Sequence, residues 1–166
     1  MKRISLLCIV LAIMVSANAQ AQNNSSSYTT GLGLKMWGYG AGFTIKHFVA
    51  PNQALEGVLY GWHGGGRFTG LYEFHYDIPG AEGLKWYIGP GMHVGSYDGS
   101  NYNSHYYHDE WESGTYVGLD GVLGLDYKFN GVPINLSLDW QPSFEFGDSR
   151  GFIGAWGGLA IRYTFN

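Results

Sequence analysis

The sequence predicts an all-β fold: an eight-stranded antiparallel transmembrane β-barrel preceded by a signal peptide. Three observations predict it. From residue 28 onward, apolar and polar side chains alternate with period two in eight segments separated by turn residues. Charged residues make up 13% of the chain and aromatic residues 17%, with 27 glycines, whereas a soluble domain carries roughly 25% charged residues. Within the segments, nearly all charges fall on one of the two faces.

The chain of 166 residues starts with Lys2 and Arg3, an apolar run over residues 4–15 and the small-residue pattern Ala17-Asn18-Ala19. The run is shorter than the about 20 residues that a spanning helix needs, and its layout is that of a secretory signal peptide. Residues 1–19 are therefore assigned as signal peptide, "QAQNNSSS" (20–27) as a polar linker, and 28–166 as the barrel domain. The one cysteine, Cys8, lies in the apolar run. The mature chain then has no thiol, which excludes disulfides, thiol catalysis and cysteine metal sites. Processing also removes Lys2 and Arg3 from the nine basic residues. Seven remain against 13 acidic ones, a net charge of −6 with His neutral. That balance argues against nucleic acid as a partner.

In chain order the expected strands are "YTTGLGLKMW" (28–37), "YGAGFTIKHFV" (39–49), "ALEGVLYG" (54–61) and "FTGLYEFHY" (68–76). They continue with "LKWYIGPGMHVGSY" (84–97), "YVGLDGVLGLDYKF" (116–129), "INLSLDWQPSFEF" (134–146) and "FIGAWGGLAIRYTF" (152–165). Most are close to the about 9–11 residues with which a tilted strand crosses a bilayer. Pro90 and Pro142 interrupt two of them, where a proline removes a ladder hydrogen bond. They are read as bulges or as points beyond the membrane.

The connections alternate in character. "APNQ" (50–53), "DIPGAEG" (77–83) and "NGVP" (130–133) are compact and rich in turn formers, and share one end with both termini. The other end holds a very short connection near Gly38, then "GWHGGGR" (61–67), the long "YDGSNYNSHYYHDEWESGT" (97–115) and "GDSRG" (147–151). Short turns on one side and a long loop opposite form the pattern of bacterial outer-membrane barrels. An even strand number lets the first and last strands pair antiparallel, leaving no edge that hydrocarbon cannot solvate.

One face carries Lys35, Lys46, Glu56, Glu73, His75, His93, Asp120, Asp126, Lys128, Asp139 and Arg162, with Thr44, Tyr60, Asn135, Ser137 and glycines between them. These residues are assigned to a polar lumen network, in which Arg162 meets carboxylates such as Asp139. The opposite face is almost uncharged; it includes Leu32, Phe43, Ile45, Leu59, Trp86, Leu125, Leu138, Trp140, Ile161 and Tyr163. His47 is its one awkward member and is placed near an interface. Buried charges demand pairing, and five acids against four bases (Lys35, Lys46, Lys128, Arg162) are nearly balanced. A soluble lipocalin-like carrier is the alternative architecture, with the same faces turned inside out. It calls for an outer face rich in Lys and Glu, whereas this polar face is rich in Gly and small residues.

The segments "GFTIKHF", "ALEGVL", "FTGLYEFH", "WYIGPGMHVG", "GLDGVLGLDYKFNGVPINLSLDWQPSFEF" and "IRYTF" resemble the small outer-membrane β-barrel proteins of the Bacteroidetes type, over residues 30–165. The resemblance implies a barrel in the cell outer membrane, embedded in its lipid and inserted by the barrel-insertion machinery. Such chains often end on the aromatic itself; here Asn166 follows Phe165.

Chemistry is sparse. The loop residues His105, His108 and Asp109 are of the types that ligate zinc, and Glu110 and Glu112 add carboxylates. Their spacing matches no tight motif, so no metal is assigned and a solvated outward loop is expected. Trp111 and the loop tyrosines suit either a contact surface or a headgroup girdle. Ser104, His105, His108 and Asp109 are the candidates if the protein is instead a lipid A-modifying enzyme, but no triad is placed; His93 and Ser96 face opposite sides. The glycine runs "GYGAG" and "GWHGGGR" open no helix, so they are not phosphate loops. Eight strands leave an interior only wide enough for side chains. The sequence thus leads to a monomeric, non-enzymatic, cofactor-free outer-membrane barrel whose outward loop 97–115 serves a structural or surface-interaction role, with an unidentified surface ligand.

Overall fold

The computed structural model describes residues 28–38, 40–97, 114–146 and 151–165. The expected signal peptide, the linker, loop residues 98–113 with His105, His108, Asp109, Glu110, Trp111 and Glu112, the segment 147–150 and Asn166 lie outside the described residues. Among those described there is no helix.

The strands are β1 (Thr30–Trp37), β2 (Gly40–Ala50), β3 (Gln53–Trp62), β4 (Gly65–Asp77), β5 (Leu84–Tyr97), β6 (Gly114–Lys128), β7 (Ile134–Trp140), β8 (Ser143–Phe146), β9 (Phe152–Ile153) and β10 (Gly157–Phe165). Neighbours in sequence pair antiparallel from β1 to β6. β7 and β8 form one stave: both pair with β6 in a single register, Leu123↔Trp140 and Asp120↔Ser143. β9 and β10 form the eighth. β1 closes the ring on β10, from Thr30↔Phe165 to Met36↔Leu159, so the last strand is fixed on both sides, with β7 as its other neighbour. The result is a closed eight-stranded antiparallel barrel.

The two prolines behave differently from a simple bulge. Around Pro90 the β4–β5 register is the same on both sides, Leu71↔Gly91 and Phe74↔Ile88, and pairing lapses only between them. The missing Pro90 N–H costs a bond without shifting the strand. At Pro142 the irregularity lies on the neighbouring stave. Three residues, Gly154–Trp156, separate Ile153 from Gly157, whereas two, Gln141 and Pro142, separate their partners Ser143 and Trp140. This one-residue excess is a bulge. Its backbone is held: Gln141 N donates to Trp156 O at 2.8 Å, Trp140 Nε1 donates to Gly154 O at 2.7 Å, and Trp37 Nε1 donates to Ala155 O.

The expected loop 61–67 is also shorter than its composition suggests. The β3–β4 ladder runs to Trp62↔Gly65, leaving His63 and Gly64 as a two-residue turn. Gly64 supplies the positive φ of 88° that this tight reversal needs.

Alternation is strict. In β2, Gly42, Thr44, Lys46 and Phe48 are buried, while Phe43, Ile45, His47 and Val49 are exposed. Phe43 is 71% exposed and Lys46 0%, so the molecule places charges inside and large apolar side chains outside. Aromatic pairs mark the termini end of the outer wall: Tyr76 stacks on Trp86 at 4.5 Å, and Tyr163 lies 5.0 Å from Phe165. Trp37, Trp140, Phe144 and Phe152 mark the opposite end.

Candidate functional site

The lumen holds the chain's densest chemistry, because period two sends every second side chain inward. Room for these side chains comes partly from glycines. A Cβ on Gly158 would stand 2.8 Å from Lys35 Cε and from the Tyr60 hydroxyl, and one on Gly124 would stand 2.7 Å from Asp139 Cβ.

The inner network centres on Glu56. Its Oε1 accepts from Arg162 Nη2 at 2.5 Å and from Thr44 Oγ1 at 2.8 Å; Lys35 Nζ lies 3.4 Å away, and Lys46 Nζ is 3.3 Å from Oε2. Lys46 also meets Glu73 at 2.8 Å and Asp126 at 3.5 Å, and sits 4.1 Å above the Tyr87 ring. Lys35 Nζ donates to Asp139 Oδ2 at 2.6 Å, and Tyr87 and Gln141 donate to the same carboxylate. His75 Nε2 lies 2.8 Å from Glu73 Oε2. Asn135 bonds Asp126 at 2.8 Å.

Arg162 is fully engaged. It donates through Nε to Thr44, through Nη1 to Asn135 and Ser137, and through Nη2 to Glu56. The sequence reading offered Asp139 as a carboxylate for Arg162. The register places Asp139 opposite Gly158 and Arg162 opposite Asn135, so Asp139 serves Lys35 and Arg162 reaches across to β3.

A second, outer group sits beyond Leu71 and Val122. Arg67 Nη2 pairs with Asp120 Oδ1, and Arg67 Nε donates to Thr69 at 3.0 Å. His93 Nδ1 lies 2.8 Å from Asp120 Oδ2, and His93 Nε2 is 3.6 Å from Glu145. Trp156, carried inward by the bulge, covers the Arg67 guanidinium at 4.4 Å and packs against Tyr60 and Trp62.

Of the residues assigned to the network, Lys128 stands apart. It is half-buried at the termini end, and its Nζ donates to the carbonyls of Phe129 and Val132. There the strand leaves the lumen for a turn, so its ammonium caps backbone oxygens instead of meeting a carboxylate. Arg67 and Glu145 were not singled out in the sequence. The signal was present, as the period-two series Arg67–Thr69–Leu71–Glu73–His75 and Asp139–Gln141–Ser143–Glu145. Flanking glycines and Pro142 concealed it. His47 is exposed on the outer wall and bonded to Thr30 Oγ1 at 2.9 Å.

The arrangement can hold charge but offers little for catalysis. His93 and Asp120 form a dyad inside the wall, and Ser96 points outward. Among the described residues no group of three or more His, Cys, Asp or Glu side chains is placed to hold a metal ion.

What the geometry defines is a small closed barrel with an ion-paired interior. No family model and no curated protein matches the chain. Among solved structures, the chain is similar to the N-terminal β-barrel domain of Pseudomonas aeruginosa OprF. The TM-score is 0.61 at 17% identity, over 85% of this chain and 98% of that one. At that identity the likeness establishes the shared eight-stranded fold.

Proposed function

We propose that the protein is an integral outer-membrane β-barrel of the small Bacteroidetes type, a non-enzymatic anchor that presents the loop 97–115 outward for a structural or surface-interaction role. The observation that carries this reading is the inverted polarity of the barrel. Leu32, Leu59, Ile88, Leu125, Leu138 and Ile161 are all about half-exposed or more on the outside, while Lys35, Lys46, Glu56, Glu73 and Arg162 are buried at 0–2% inside. A water-soluble carrier of this fold needs the reverse, because apolar area left in water is unfavourable by roughly 25 cal/mol per Å². A bilayer solvates that wall, and the closed ladder leaves no strand edge for lipid to meet. The likeness to the OprF barrel domain supports the same class. Lipid is thus the principal partner, and the insertion machinery acts during assembly.

Deletion of residues 98–114 tests the role. The shortened chain is expected to reach the outer membrane and lose surface binding or envelope resistance. Unchanged binding and resistance would remove the loop from the account. Lipid A mass spectra that are the same with and without the protein are expected; a changed acyl pattern would favour an enzyme.

A further inference from the structure

We propose that Leu71, Tyr87 and Val122 form an apolar septum that stands between the two groups of ion pairs in the lumen and seals the barrel against ions. The three side chains come from the adjacent strands β4, β5 and β6, touch one another as a buried cluster, and are 0–2% exposed. On β4, Leu71 stands between Thr69 of the outer group and Glu73 of the inner network. On β6, Val122 stands between Asp120 of the outer group and Gly124, beside Asp126. Val58, 0% exposed, continues the apolar lining on β3 between Glu56 and Tyr60. The ion pairs described above fall wholly on one side or the other: Arg67, Asp120, His93 and Glu145 outside the septum, and Lys35, Lys46, Glu56, Glu73, Asp126, Asp139 and Arg162 inside it.

The fit of Leu71 shows how the septum is built. Gly91 pairs with Leu71 on one side and Asp120 on the other. A Cβ at Gly91 would stand 2.5 Å from Leu71 Cδ2, so the glycine leaves the gap that the leucine fills. Tyr87 seals the inner side. Its ring stacks on His75 at 4.9 Å, its hydroxyl donates to Asp139, and Lys46 covers one face. An ion passing between Leu71 and Val122 would lose its hydration against hydrocarbon, and hydrophobic constrictions block conduction in this way. On this assignment the charge network serves the barrel wall, and the seal is apolar.

The inference rests on the membrane reading above, and potassium efflux from liposomes carrying the mature chain tests it. Alkaline carbonate extraction of the same liposomes checks insertion separately, so failure to insert would count against the membrane reading and a leak against the septum. The wild-type protein is expected to leak no faster than empty liposomes. Leu71→Gly, and the pair Leu71→Gly with Val122→Gly, are expected to leak several-fold faster. Asp126→Asn, which disturbs the inner network at Lys46 and Asn135 and touches none of the three septum side chains, is expected to stay tight. If the glycine variants do not fold, Leu71→Ser provides the same comparison with a smaller void and a wettable hydroxyl. A leaking wild type, a folded septum variant that stays tight, or an Asp126→Asn variant as leaky as the septum variants would overturn the proposal.

Discussion

Replacing Glu56 by Gln removes one charge from the most heavily shared carboxylate of the lumen. Its neighbours do not suffer equally. Lys35 retains Asp139 at 2.6 Å, and Lys46 retains Glu73 at 2.8 Å and Asp126 at 3.5 Å. Arg162 loses its ion-pair partner and is left, fully buried, with the neutral groups of Thr44, Asn135 and Ser137. Stranding a buried charge in this way costs about 3–5 kcal/mol. Exchanging both partners, with Glu56→Gln and Arg162→Met together, removes the stranded charge as well, and such exchanges are often near neutral. The double variant is therefore expected to be more stable than Glu56→Gln alone, whereas Arg162→Met by itself strands no charge because Glu56 keeps Lys35 and Lys46. Guanidinium unfolding of the barrel in lipid vesicles, followed by tryptophan fluorescence and by the heat-sensitive gel band, gives the full cycle. If the two single losses simply add, Glu56 and Arg162 do not act as a pair and the network described here is wrong at its centre.

Three further outcomes follow from the same geometry. Leu138→Arg, on the exposed wall of β7, is expected to destabilise the barrel in vesicles by about 2–4 kcal/mol, the cost of a cation near the bilayer midplane; no loss would contradict a lipid-facing wall. Gly33→Val is expected to weaken the closing seam, because a Cβ there would lie 1.8 Å from the Ile161 carbonyl oxygen. Overpacking of this kind costs about 1–3 kcal/mol, and unfolding midpoints matching wild type would show that β1 and β10 are not held as described. Phe165→Ala, on the strand that closes the ring, is expected to lower the amount of folded protein in the outer membrane, read from the unboiled band; undiminished folding would dissociate the final aromatic from assembly.

The staves were legible because a barrel wall with two distinct solvents imposes period two on every strand. A one-residue slip would put a charge into the apolar wall. Arg162 therefore had to point inward, and its strand could be read as the closing one. Its partner was not legible, since pairing across the lumen depends on stagger around the whole ring: Glu56 is distant from it in sequence, while Asp139 is on the adjoining stave. Arg67 was hidden for a different reason. Gly64, Gly65 and Gly66 look like a loop, and only the positive φ at Gly64 and the ladder up to Trp62↔Gly65 show that the chain reverses in two residues. Lys128 illustrates the opposite error. It keeps the alternation of its strand but stands at the last rung, where turn carbonyls are nearer than any carboxylate. Trp156 was unreadable as a cover over Arg67, because the bulge that turns it inward is set by pairing with β7 and β8 and leaves no mark in the local pattern.

A chain that closes into a barrel with its apolar wall in the outer membrane has a simple signature. Gel mobility of the mature protein from an isolated outer-membrane fraction, in detergent with and without boiling, reads it. Recovery in that fraction is expected, with a band that migrates differently until boiled, as the closed ladder resists detergent alone. A protein recovered soluble from the periplasm, with one mobility in both samples, would contradict it.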